Sequence, residues 1–150
     1  MIDRLLAWRT NPRLARHATR VLQVYYGIDL PVEVQVGRGL VMPHMGRGAV
    51  IHPCTTIGDY VTIYHGVTIG RSDAHIPAED SAFEHIEIGD HVVLSTGSVV
   101  LGGPGITTVG TGTILAANAV LRQSTGDWEV WAGIPARKVG SRTDRGAAQG

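Results

Sequence analysis

Residues 55–70, TTIGDYVTIYHGVTIG, decide the fold. Ile57, Ile63 and Ile69 recur every six residues, glycine follows the first and the last, and Val61 and Val67 each come four residues after an isoleucine. A six-residue period is the mark of a parallel β-helix. Each hexad is a short strand plus a turn, three hexads close a triangular coil of about 18 residues, and stacked coils share an aliphatic core. The register runs on in both directions. Leu30, Val36 and Met42 come before it, Ile51 leads into it, and Ile88, Leu94 and Val100, then Val109, Leu115 and Leu121 follow. Composition agrees: 20 of 150 residues are Gly, where average usage gives about 10, and only 3 Trp, 4 Tyr and 1 Phe are present. Tight turns with φ > 0 account for the glycine. A triangular aliphatic core accounts for the scarcity of rings.

Three insertions interrupt the period. Met42 to Ile51 and Val100 to Val109 each span nine residues, the second through Gly102-Gly103-Pro104-Gly105. Ile69 to Ile88 spans nineteen, so 71–86 (RSDAHIPAEDSAFEHI) is expected to leave the coil as a loop, where binding residues commonly sit. Counting hexads puts Met42, Ile63, Leu94 and Leu115 on one face. His44 and His65, each two residues past such an aliphatic, should then stack at about the 4.8 Å strand spacing.

Upstream, Asn11-Pro12 reads as a helix start, and Leu14, Ala18, Val21, Leu22 and Tyr25 recur at helical spacing, predicting an amphipathic helix over 12–26. Residues 1–26 carry five Arg against one Asp, a net +4 that the remaining chain balances. No global field draws the chain to nucleic acid or membrane, no apolar run reaches 18 residues, and no signal-peptide pattern opens it. The single Cys54 excludes an intramolecular disulfide and suits a cytoplasmic setting. The expected organisation is a helical segment at 1–26, a β-helix at 27–140 and a disordered tail at 141–150.

GIDL at 27–30, VGRGLVMPH at 36–44, IGDYVTIYHGVTIG at 57–70, HIEIGD at 85–90 and WAGIPARKVG at 131–140 resemble the hexapeptide-repeat acyltransferases, in the branch around the serine acetyltransferases. The resemblance implies an all-β-dominated, left-handed parallel β-helix with a short N-terminal α-helical segment. It further implies a homotrimer with active sites between subunits, acetyl-CoA as co-substrate and no metal. His44 matches the family's general base, and Asp29, fifteen residues upstream, matches the carboxylate that orients it. Imidazole suits the task, since an alcohol attacking a thioester needs a base that titrates near the working pH. Gly97, Ala116, Ala117, Ala132 and Gly133 fall where a pantetheine arm would need close approach. Arg137 and Lys138 fall where phosphates would need charge-assisted partners.

The chain departs from true serine acetyltransferases in three ways. Pro43 replaces an Asp before the base, Glu84 replaces an Arg that holds the substrate carboxylate, and 1–26 is far shorter than their helical domain. Like charge disfavours a carboxylate at Glu84, so the sequence leans toward an O-acetyltransferase acting on a small molecule, sugar or polysaccharide. His65, Glu84, His85 and Asp73 are the candidate acceptor-binding residues. Serine remains the alternative acceptor. His52 and His91 read as structural or solvated, Cys54 as a structural turn residue, and Trp128 and Trp131 as a cap on the last coil. A γ-carbonic anhydrase-like zinc enzyme needs three converging His, a spacing this chain does not show. An ice-binding face fails because Thr56, Thr62 and Thr68 point from three different faces. An inactive β-helical scaffold and the γ-carbonic anhydrase-like zinc enzyme are the alternatives from other classes.

Overall fold

The computed structural model describes residues 2–9 and 11–143. From Asp29 onward the chain winds through three faces, whose strands align in parallel. The first face holds Gln35–Val36, Thr55–Ile57, Phe83–Ile88 and Gly105–Val109. The second holds Thr62–Ile63, Val93–Leu94, Ile114–Leu115 and Glu129–Gly133, and the third holds Val50–Ile51, Thr68–Arg71, Val99–Gly102 and Val120–Leu121. The hexad register becomes three inward columns. Ile57, Ile88 and Val109 face one another across the first sheet, Ile63, Leu94, Leu115 and Trp131 across the second, and Ile51, Ile69, Val100 and Leu121 across the third. Every member is buried. Each such aliphatic side chain contributes roughly 1.5–3 kcal/mol on leaving water, so the period that identifies the fold is also what stabilises it.

The structure redraws three boundaries. The extruded loop is 72–82, because Arg71 still pairs with Gly102 and the next strand begins at Phe83. Gly102 explains the early return: a Cβ there would lie 2.5 Å from the Phe83 ring, so the bare backbone is what lets the ring pack. The coil does not end on another hexad. Ala136–Ser141 folds back antiparallel on Glu129–Gly133, making a hairpin whose Trp131 covers the end of the second column. Ser141 therefore closes a strand where a tail was expected, and Arg142 lies over the Trp128 ring and donates to the carbonyls of His91 and Gly112. Residues 144–150 of that expected tail lie outside the described residues.

At the other end stand α1 (Ile2–Trp8) and α2 (Ala15–Val21), followed by a π-helical turn, Leu22–Tyr26, which left-handed Gly27 (φ 64°) terminates. Ala15, Ala18 and Leu22 are buried, whereas Leu14 and Tyr25 are exposed. The wider π turn rotates Tyr25 off the face that 3.6-residue spacing assigned it. Arg9 ties the segment to the first coil by donating to the carbonyls of Pro31 and Val34. Burial holds its guanidinium below the usual arginine range, with Glu33 opposing. Cys54, read as a structural turn residue, is exposed. Among the described residues no helix is long and apolar enough to cross a membrane.

Candidate active site

The corner between the second and third faces carries the chemistry-bearing residues. The three residues by which the Met42-to-Ile51 interval exceeds a hexad are absorbed there by a tight turn, Pro43–Gly46, in which His44 (φ 55°) and Met45 (φ 60°) are both left-handed without being glycine. Backbone held in this region by side-chain-bearing residues costs on the order of 1–3 kcal/mol per residue and gathers at functional sites. His44 is exposed at the tip. The His65 ring lies 5.2 Å away at 89°, edge to face rather than stacked in parallel. Its position follows from register: Val41 pairs with Thr62, and each His stands three residues beyond.

The same corner continues as a column of small left-handed residues, Gly48, Gly66 and Gly97, then Asn118. Gly66 accepts no closer neighbour than the Gly97 backbone, about 3.7 Å from a notional Cβ. Ala116 and Ala117 occupy the next coil of this corner, and the Ala116 N–H bonds the Trp131 carbonyl below Ala132 and Gly133. A strip of exposed backbone thus leads from His44 toward the hairpin, which fits an extended pantetheine-like arm. At its far end Arg137 pairs with Ala132 and is exposed, its guanidinium donating to the adjacent Ala136 carbonyl. Lys138 is already engaged, 2.7 Å from Glu129. Asp29 is half-buried on the coil beneath Val50, and its carboxylate makes no side-chain hydrogen bond to His44 among the described residues.

Of the candidate acceptor residues only His65 shares the His44 corner; Glu84, His85 and Asp73 sit at a different one, between the third and first faces. His85 lies on a strand, not in the loop, and its Nε2 shares a 2.8 Å hydrogen bond with Thr56 Oγ1. Glu84 is exposed at the register shift between Phe83 and His85. Asp73 serves the loop itself: Ser81 donates to it at 2.6 Å, and this bond, with Arg71 nearby, holds its carboxyl below the usual range. Sequence reasoning missed the partners grouped here, Thr56, Arg71 and Phe83, with His52 edge-on to Phe83 at 5.1 Å. The adjacent Phe83-x-His85 alternation was the available signal. A cleft of about 890 Å³ between α1 and the rim of the first coil contains none of these residues. One chain therefore does not bring His65, Glu84, His85 and Asp73 into a single cluster around His44.

No family model matches the chain. Serine acetyltransferase of Staphylococcus xylosus is 35% identical over 126 residues, 84% of this chain and 54% of that protein. Among solved structures, serine acetyltransferase of Brucella abortus in complex with coenzyme A matches with a TM-score of 0.73 at 26% identity, covering 91% of this chain and 51% of that one. Soybean serine acetyltransferase matches with a TM-score of 0.72 at 28% identity, over 90% and 52% of the two chains. The chain is a relative of the serine acetyltransferases. It spans about half the length of the curated relatives it matches. The expected leaning toward sugar-directed enzymes finds no support in these relatives, which are named for serine. Within this serine acetyltransferase relative, Pro43 opens the His44 turn and fixes its entry, since proline presets φ near −65° at the first turn position.

Proposed function

We propose that this chain is an acetyl-CoA-dependent O-acetyltransferase, with serine as the first acceptor to test. The observation that carries the reading is His44, exposed on a strained left-handed turn at the head of a strip of small residues, in a relative of serine acetyltransferases. His44 takes the proton of the acceptor hydroxyl as its oxygen attacks the thioester carbonyl. The C–S bond then breaks, and the imidazolium returns the proton to the leaving thiolate. Asp29 supplies the carboxylate whose charge stabilises the imidazolium. A backbone N–H of a neighbouring copy stabilises the oxyanion. Gly97, Ala116, Ala117, Ala132 and Gly133 seat the pantetheine arm, and Arg137, more than the ion-paired Lys138, meets its phosphates. The assembly is a homotrimer of left-handed coils, each site lying between two copies.

One observation favours a second acceptor class. Glu84 is exposed beside His85 and makes no ion pair among the described residues, so it disfavours a carboxylate and suits a polyol, sugar or amino alcohol. The test is thiol release from acetyl-CoA by the purified chain with serine, aminosugars, polyols and oligosaccharides. Transfer to at least one is expected, with His44→Ala lowering kcat/KM by about 10²- to 10⁴-fold. Turnover with none of them, or with His44→Ala unimpaired, would reject the reading in favour of a scaffold. Cys54→Ala should leave turnover intact, and its loss would point to a covalent route instead.

A further inference from the structure

We propose that His65 is a positioning residue that holds the His44 ring and does not contact the acceptor; the proposal rests on His44 being the base. His44 is exposed on its turn and bonds no side chain among the described residues, so nothing in the loop fixes its imidazole. The perpendicular His65 ring, 5.2 Å away, is its aromatic neighbour. That separation and angle lie within the edge-to-face range in which aromatic rings attract and orient one another.

The backbone of His65 is held on both sides. Its carbonyl accepts the Gly97 N–H at 3.0 Å, and the Gly66 N–H following it donates to the Arg47 carbonyl at 2.8 Å, tying the residue to the coils on both sides. Its Nδ1 is shielded from solvent and has no hydrogen-bond partner. A nitrogen so placed is not presented to an incoming hydroxyl, which removes one of the two atoms an acceptor contact would use. What remains at this position is a half-buried ring on a hydrogen-bonded backbone against an exposed ring on a turn. A general base must keep its lone pair aimed at the acceptor proton, and small misplacements of such a group are expensive in rate.

The test compares His65→Ala, which removes the ring, with His65→Phe, which keeps a ring but no nitrogen, in the full-length protein. Both must retain the wild-type circular dichroism spectrum, and His65→Phe keeps the comparison meaningful if the alanine variant folds poorly. His65→Ala is expected to lower kcat by about 10- to 100-fold with little change in acceptor KM, and His65→Phe to recover most of it. In NMR spectra the His44 ring-proton resonances should move in His65→Ala and stay near their wild-type positions in His65→Phe. A raised acceptor KM with unchanged kcat, a phenylalanine variant as impaired as the alanine one, or His44 resonances indifferent to either change would overturn the proposal. The NMR comparison does not depend on turnover, so an inactive wild type would reject the enzymatic reading and still leave the ring contact measured.

Discussion

His52 shows how a residue outside the reacting corner can still leave a titration signature. Its ring packs edge-on to Phe83, and its Nδ1 accepts the Cys54 N–H at 3.1 Å, which places the proton of the neutral ring on Nε2. Burial, then the nearby Arg71 and His85, push its pKa below the ordinary 6.5. The unfolded chain therefore binds the proton more tightly than the folded one, and stability rises with pH across the interval between the two values. Folding stability should fall as pH drops below about 6.5 and stop falling, as far as His52 is concerned, below its depressed folded value. Urea denaturation of wild type and His52→Asn across this range checks the sign, since Asn can still accept the Cys54 N–H without titrating. An equally steep loss in the variant would assign the effect elsewhere. At this scale the sequence disclosed the His44–His65 proximity, because both residues follow from one register. It did not disclose His85 against Thr56, because the spacing left His85 in the loop, whereas it lies on a strand whose Glu87 pairs with Thr56, and His85 meets that threonine diagonally, two residues earlier.

Elements that obey the period were legible; of what ends it, the Trp131 cap was legible and the hairpin that carries it was not. Each hexad commits one aliphatic side chain to the core, so its spacing survives in the sequence. The terminal hairpin answers to different demands: an open coil end exposes both a hydrophobic column and unpaired backbone. Trp131 covers the first and Ala136–Ser141 pairs with the second. Glu129 locks this cap by accepting from Trp131 Nε1 (2.8 Å), Lys138 Nζ (2.7 Å) and the Gly126 N–H (2.8 Å). Glu129→Ala leaves the buried indole N–H unpaired and should cost about 1–3 kcal/mol by chemical denaturation; an unchanged midpoint would show that the hairpin closes without it. A second demand appears one coil below. Gly112 is left-handed (φ 69°), and a Cβ there would lie 2.3 Å from the Trp128 ring. Gly112→Ala combines backbone strain with a steric clash, so at least about 1–3 kcal/mol should be lost. The ring it displaces is the one that carries Arg142.

The whole molecule is a three-cornered prism whose candidate functional residues are split between corners. His44, His65 and the strip of small residues occupy one, while His85, Glu84 and the 72–82 loop occupy another. In the proposed homotrimer, packing identical prisms around the threefold axis sets one corner of each copy against a different corner of the next, the head-to-tail contact that closes a ring. The proposed site then takes its base from one copy and its acceptor contacts from the neighbour. Mixing separates this arrangement from a site contained in one chain. His44→Ala and His85→Ala should each lose most transfer activity as pure proteins. Unfolded together in equal amounts and refolded, they form mixed trimers in which a site is intact only where a His85→Ala copy supplies His44 and the following His44→Ala copy supplies His85. Random assembly meets that condition at about a quarter of the sites. Recovery near a quarter of wild-type activity is therefore expected after co-refolding, and none after mixing the folded variants without exchange. If co-refolded mixtures stay as inactive as their components, His44 and His85 do not serve one site across the interface, and the loop corner belongs to something other than the acceptor.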